Sequence, residues 1–217
     1  MARKTKVSPT ATALSVPIDP KDIARIEAQN ALLQFDAAMK MVNEANASED
    51  KFLLRPSHLS LLNRIATQGV SSEAGNFRRC VVTIDGAVHK PPPWEDVQRL
   101  TEGACDYVNN NWSLKPIHLA AYLMWRINWI HPFEDGNGRT SRMISYVVLC
   151  IKLGFQLPGV NTVPDQIAAD KDPYYEALEA ADVASDATKI NVEAMEKLVS
   201  RLLAAQLLRV HDAAIGF

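Results

Sequence analysis

The chain has few cysteines, almost no net charge, no low-complexity tract and no internal repeat. Its three cysteines, Cys80, Cys105 and Cys150, lie far apart and are odd in number. They form neither a zinc-ligand spacing nor a disulfide framework, and their pattern suits a reducing compartment, so a cytoplasmic location is expected. The net charge of −2 gives no general attraction to nucleic acid or to an anionic membrane surface, and neither is expected as a partner. Apolar runs such as Tyr146–Ile151 are far too short to span a bilayer, which takes roughly 20 residues. Arg3, Lys4 and Lys6 are not followed by the apolar stretch of a secretory signal. A Gly-x-x-x-x-Gly-Lys-Ser/Thr loop is also missing, which excludes an ordinary P-loop ATPase.

What is present is enough apolar material for one large domain: 47% of 217 residues. Residues 1–19 are small, polar and Pro-containing without periodicity, and read as a loose tail. Residues 20–217 read as a single helical domain. Pro20 opens a helix to about Val42, and Ser57 is the expected N-cap of a second helix through Leu61, Leu62 and Ile65. Val97, Leu100, Ala104 and Tyr107 lie at helical spacing after Pro93. Pro116 opens a nearly uncharged helix to Ile130, the expected central helix. Further helices are expected at about Arg139–Leu153, stopped by Gly154, at Asp172–Asp182, and through Val192, Met195, Leu198 and Leu202. Cys80–His89 breaks the pattern. Two β-branched runs flank Asp85-Gly86, a hairpin signal in an otherwise all-α chain.

The chemistry concentrates in His131-Pro132-Phe133-Glu134-Asp135-Gly136-Asn137-Gly138-Arg139-Thr140-Ser141-Arg142. Gly136, Asn137 and Gly138 precede a helix start, where unpaired N–H groups attract anions. A sharp inter-helix turn would use the same residues. Arg139 and Arg142 share a helix face and repel one another unless an anion sits between them, which favours phosphate. Asp135 is either a charge at the helix N-terminus or a Mg²⁺ ligand alongside substrate phosphates. His131 is either a helix-end cap or a base that titrates near neutrality. Phe133 reads as a core anchor, Pro132 as a rigid turn, and Glu134 as solvent-facing.

That stretch resembles the signature of the Fic family: His-Pro-Phe, a free position, an acid, Gly-Asn-Gly-Arg, two free positions, Arg. Every fixed position is filled. Gly75-Asn76-Phe77-Arg78, Pro91-Pro92-Pro93, and Tyr174-Tyr175 with Leu178 and Ala181 resemble Fic flanks, and the resemblance covers about residues 59–182. It implies a Fic-type helical bundle with one β-hairpin flap. It implies a protein adenylyltransferase that moves AMP from Mg²⁺-bound ATP to a Tyr, Thr or Ser hydroxyl of a target protein. In that scheme His131 is the base and Asp135 holds the metal. Gly136, Asn137, Gly138, Arg139 and Arg142 hold the phosphates, with Asn137 at the α-phosphate. Tyr175 and Asp182 lie near the nucleoside, although many relatives carry Asn where Asp182 stands. The flap, Val82, Thr83, Ile84, Asp85, Gly86, Ala87 and Val88, docks the target backbone by strand addition.

Alternatives within the same site are another nucleotide donor or phosphate transfer. Doc-like relatives that transfer phosphate carry Lys where this chain has Gly138. A catalytically silent module that binds nucleotide or partner is the rival of a different class. Many Fic proteins also restrain themselves with a helix bearing Ser or Thr, three free positions, then Glu, and that Glu pairs with the second arginine. No Ser or Thr here has Glu four residues later. Glu27, preceded at that spacing by Ile23, reads as a surface glutamate. The chain is therefore expected to lack the internal brake and to gain little from Glu27→Gly. That leaves room for a separate inhibitory partner, and a homodimer stays open.

Overall fold

Prolines and polar caps decide where the helices of this chain begin. The computed structural model describes residues 5–7, 19–186 and 189–215. Helix α1 spans Pro20–Ala47, with the Asp19 carboxylate accepting from the Lys21 N–H at 2.8 Å. It runs past the expected end at Val42. Helix α2 spans Pro56–Thr67. Its cap is Arg55, whose N–H donates to His58 Nδ1 at 3.1 Å, so Ser57 lies inside the first turn rather than at the cap. Helix α3, Val97–Asn110, follows a short 3-10 turn at Trp94–Asp96. Helix α4 spans Pro116–Ile130, and α5 spans Asn137–Leu153 and ends at Gly154 with φ +83°.

Helix α6, Val163–Ala169, was not expected. At seven residues it is too short to show a period, yet Thr162 and Asp165 cap it reciprocally. Helices α7, Asp172–Ala184, and α8, Glu193–Ile215, complete the bundle. The core is centred on α4, where Leu119, Leu123, Ile127 and Ile130 have no exposed surface. Helix α4 packs on α3, α5, α7 and α8, while α5 also meets α1 and α2. The loop between α4 and α5 is therefore held between the two most enclosed helices. Among the described residues no helix is long and apolar enough to cross a membrane.

The small sheet corrects two expectations. Its strands are β1, Thr5–Val7, and β2, Val82–Ile84, paired antiparallel with Thr5 opposite Ile84, Lys6 opposite Thr83 and Val7 opposite Val82. Part of the stretch read as a loose tail is thus a strand; residues 1–4 and 8–18 lie outside the described residues. The hairpin is also incomplete. Its turn closes at Asp85 and Gly86, with Gly86 at φ +71° and the Ala87 N–H donating to the Ile84 carbonyl at 3.2 Å. Ala87 and Val88 then leave the ladder. His89 is drawn to the end of α4, where its Nε2 lies 2.8 Å from the Trp129 carbonyl oxygen and its ring packs against Trp129. The prolines beyond it have no N–H to donate to a strand. The edge of β2 is paired instead by a strand from the other end of the sequence.

Candidate active site

Helix α4 ends at His131, which turns the chain with a left-handed backbone, φ 52° and ψ 59°. The buried Arg78 fixes that ending. Its guanidinium donates to the carbonyl oxygens of His131 at 2.8 Å, Ile130 at 3.3 Å, Cys80 at 2.9 Å and Pro92 at 2.7 Å. Its own N–H donates to the Pro132 carbonyl at 2.8 Å. One cation thus ties the α4–α5 loop to the root of β2 and to the proline run. Burial lowers the pKa of Arg78, yet it keeps its charge against these carbonyl dipoles.

The loop is closed from within by Asn137. Its Oδ1 accepts from the Phe133 N–H at 2.9 Å and its Nδ2 donates to the Phe133 carbonyl at 2.7 Å. The amide expected at an α-phosphate is thus turned onto the loop, with one of its two Nδ2 hydrogens spent on Phe133. Phe133 is the anchor it was expected to be: it is 1% exposed and its ring centroid lies 5.4 Å from that of Phe77. Burying such a ring contributes roughly 1.5–3 kcal/mol. Glu134 is half-buried rather than solvent-facing, and accepts from the Cys80 thiol at 3.3 Å. Asn63 of α2 braces the loop from outside, donating to the Asp135 carbonyl at 2.8 Å and accepting from the Gly75 N–H at 3.0 Å.

His131 is set up as a proton acceptor. Its Nδ1 lies 3.3 Å from the Asn128 carbonyl oxygen, which can only accept, so the neutral ring carries its proton there and leaves Nε2 bare. Burial is the largest influence on its pKa and pushes it down to about 4, aided by the Arg78 cation and opposed by the Asn128 contact. The Thr5 hydroxyl lies 2.9 Å from Nε2 and donates to it.

Helix α5 begins beside this base. Gly136 sits at φ +76°, and a Cβ there would lie 2.6 Å from Thr67 Cγ2 and 2.8 Å from Asn63 Nδ2, so only glycine fits. The orphan N–H groups of the first turn and the helix dipole favour an anion at this end. Asp135 stands at the mouth with its side chain 51% exposed, accepting from the Gly136 N–H at 2.6 Å and pairing with Arg139 Nη2 at 2.9 Å. Arg139 also pairs through Nη1 with Glu27 Oε1 at 3.0 Å. Glu27 is therefore a half-exposed group of the site, bound to the first arginine rather than the second. Arg142 makes no ion pair among the described residues. It lies over the Tyr174 ring at 5.9 Å, and burial lowers its pKa. A half-buried guanidinium with no ion pair among the described residues is a strong draw for an anion.

These groups share one cleft of about 920 Å³. His131, Asp135, Gly136, Asn137, Gly138, Arg139, Arg142, Tyr175 and Asp182 all line it. Of the expected flap, Ile84 and Ala87 reach it, whereas Val82, Thr83, Asp85, Gly86 and Val88 do not. Tyr174 is the packing member of its pair: it is 1% exposed, and its hydroxyl meets Asn128 Nδ2 at 2.6 Å and Ser141 Oγ at 3.2 Å. Asp182 Oδ1 accepts from the Trp125 indole N–H at 2.7 Å. Sequence reasoning missed the roles of Arg78, Asn63, Asn128 and Thr5, and placed Glu27 outside the site. For Arg78 the quoted Gly-Asn-Phe-Arg flank was the available signal; Thr5 had none.

Residues 53–149 match the family model described as Fic/DOC family. A curated relative from Culex quinquefasciatus, named protein adenylyltransferase Fic, is 33% identical over 126 residues, which are 57% of this chain and 25% of that protein. A Drosophila willistoni protein of the same name is 33% identical over 158 residues, 72% of this chain and 30% of that protein. The chain thus spans about a quarter to a third of the length of the curated relatives it matches. Among solved structures, a Fic-1 segment from C. elegans superposes with a TM-score of 0.67 at 23% identity, covering 92% of this chain and 55% of that one. A Fic family protein from Desulfovibrio desulfuricans G20 gives 0.64 at 23% identity, covering 92% and 56%.

Proposed function

The chain belongs to the Fic/DOC family through residues 53–149, and on that premise we propose that it is a protein adenylyltransferase that moves AMP from ATP to a hydroxyl side chain of a protein. One observation carries this reading: a buried neutral imidazole accepts from a hydroxyl at 2.9 Å, within the cleft that also holds the start of α5 and Arg142. A base facing an acceptor hydroxyl, beside an anion site, is what in-line transfer of a phosphoryl-linked group requires. The N–H groups of the first turn of α5 orient the phosphates, and Arg139 and Arg142 hold the outer ones. Tyr175 and Asp182 line the end where the nucleoside lies. His131 Nε2 takes the hydroxyl proton as the oxygen attacks the α-phosphorus, and pyrophosphate departs.

A Mg²⁺ ion fits this donor set. Asp135 is one exposed carboxylate facing the phosphate end, and Mg²⁺ binds through one or two carboxylates together with substrate phosphates. When bound, the ion supplies charge neutralisation on the phosphates. Gly138 favours nucleotide over phosphate transfer because Doc-like relatives that transfer phosphate carry Lys there; a Cβ at this position would also lie 3.1 Å from Arg142 Nη1. Free Cys80, Cys105 and Cys150 suit a reducing, cytoplasmic setting.

The test is incubation with α-labelled nucleotides and cell lysate, wild type beside His131→Ala, with mass spectrometry of labelled bands. Labelling by wild type should exceed the variant by about 10²–10⁴-fold, the usual contribution of a general base. Equal labelling would remove His131 from its role. Labelling from GTP or UTP in place of ATP would reassign the donor.

A further inference from the structure

We propose that Thr5 is itself an acceptor: the chain transfers AMP to its own N-terminal strand, in cis. The proposal rests on the transferase reading above. Strand β1 pairs with the edge of β2 over a defined register, Thr5 opposite Ile84. Successive residues of a strand face opposite sides. Lys6 faces away from the base, with its Nζ 2.8 Å from Asp85 Oδ1, and Thr5 faces His131, its hydroxyl 2.9 Å from Nε2. A slip of one residue would put Lys6 where the hydroxyl now lies and turn Thr5 outward. The turn at Asp85 and Gly86 ends the ladder just after Ile84, which makes Thr5 the paired residue nearest that turn.

The direction of the hydrogen bond also matters. With the ring proton on Nδ1, the Thr5 O–H donates to Nε2 and its oxygen lone pairs remain available. Thr5 lines the same cleft as Gly136, Gly138 and Arg142. The step balances without a further reagent. Thr5 Oγ forms a bond to the α-phosphorus of ATP, and the bond from that phosphorus to the bridging oxygen of the β-phosphate breaks. Pyrophosphate leaves with the electron pair, and the hydroxyl proton passes to His131 Nε2. The product is a phosphodiester of Thr5 with AMP.

The experiment uses the purified full chain with Mg²⁺ and α-labelled ATP, in wild-type and Glu27→Gly forms so that a restrained site is not mistaken for an inert one. Peptide mapping by mass spectrometry should place AMP on Thr5. The label should persist in Thr5→Ser, vanish from that peptide in Thr5→Val and vanish altogether in His131→Ala. The fraction labelled per unit time should not change on dilution. A rate that falls with dilution would overturn the cis step. Label on lysate proteins or elsewhere in the chain, with Thr5 unmodified, would overturn the proposal and leave the transferase reading standing. No label on any protein in either form would remove both.

Discussion

At the scale of the residue, His131 draws its character from its surroundings. An exposed imidazole is half protonated near pH 6.5, whereas here burial pushes the pKa down to about 4. The ring is therefore neutral above about pH 4, the form that the proposed base requires. The acid limb of kcat/KM for protein labelling should be absent between pH 5 and pH 7 and appear only as pH falls toward that value. A profile that halves near pH 6.5 would show that the ring is not shielded. Glu27 is the residue whose reading changes most. Its pairing with Arg139 at 3.0 Å engages a guanidinium proposed to hold an outer phosphate, and on that proposal it competes with nucleotide. The pair is partly exposed, and such pairs are worth about 0.2–1 kcal/mol. Glu27→Gly should therefore tighten nucleotide binding by up to about 5-fold. Calorimetric titration would check it, and an unchanged Kd would return Glu27 to the role of surface charge.

At the scale of the element, the loop between α4 and α5 is held by Gly136 within it and by the Asn137 amide that opens α5. Gly136→Ala meets both a left-handed φ of +76° and atoms at 2.6 and 2.8 Å. It should cost about 1–3 kcal/mol by overpacking and weaken nucleotide binding, readable by urea denaturation and titration. Gly86 has a similar φ, +71°, but nothing within 4 Å of a Cβ. Gly86→Val should therefore distort the turn through backbone strain alone, with a smaller effect on nucleotide binding than Gly136→Ala. These elements were legible in the sequence to the extent that their causes are local. The glycines, the arginine pair and the Gly154 stop act within a turn or two of chain, and the apolar periods of α4 and α5 mark buried faces. Strand β1 was not legible. It is three residues long, and its partner is β2, far along the sequence. The second leg of the hairpin failed for a related reason: its β-branched residues promise a strand, but His89 has a better partner in Trp129. Arg78 and Asn63 likewise act on carbonyls that only the fold brings near.

At the scale of the whole molecule, enclosing the base has a cost that depends on pH. The folded-state pKa of His131 lies below that of an unfolded chain, so the unfolded state binds more protons between pH 6.5 and about 4. Stability contributed by keeping the ring neutral is fully present above pH 6.5 and declines as pH falls through that window. The decline reaches about 3 kcal/mol at its lower end. Urea denaturation at pH 7 and pH 4.5 should show a larger acid-induced loss in wild type than in His131→Ala. Equal losses would mean that the ring is solvated in the folded state. The backbone of the same residue carries a second tension. At φ 52° His131 occupies a conformation that costs an L-residue roughly 1–2 kcal/mol and a glycine almost nothing. Helix C-termini of this geometry are ordinarily closed by glycine. His131→Gly should therefore melt above His131→Ala, reversing the usual order of those residues in a helix. Durability and chemistry pull this one position in opposite directions: selection for a sturdier fold alone would replace the histidine, and only a requirement for proton transfer would keep it.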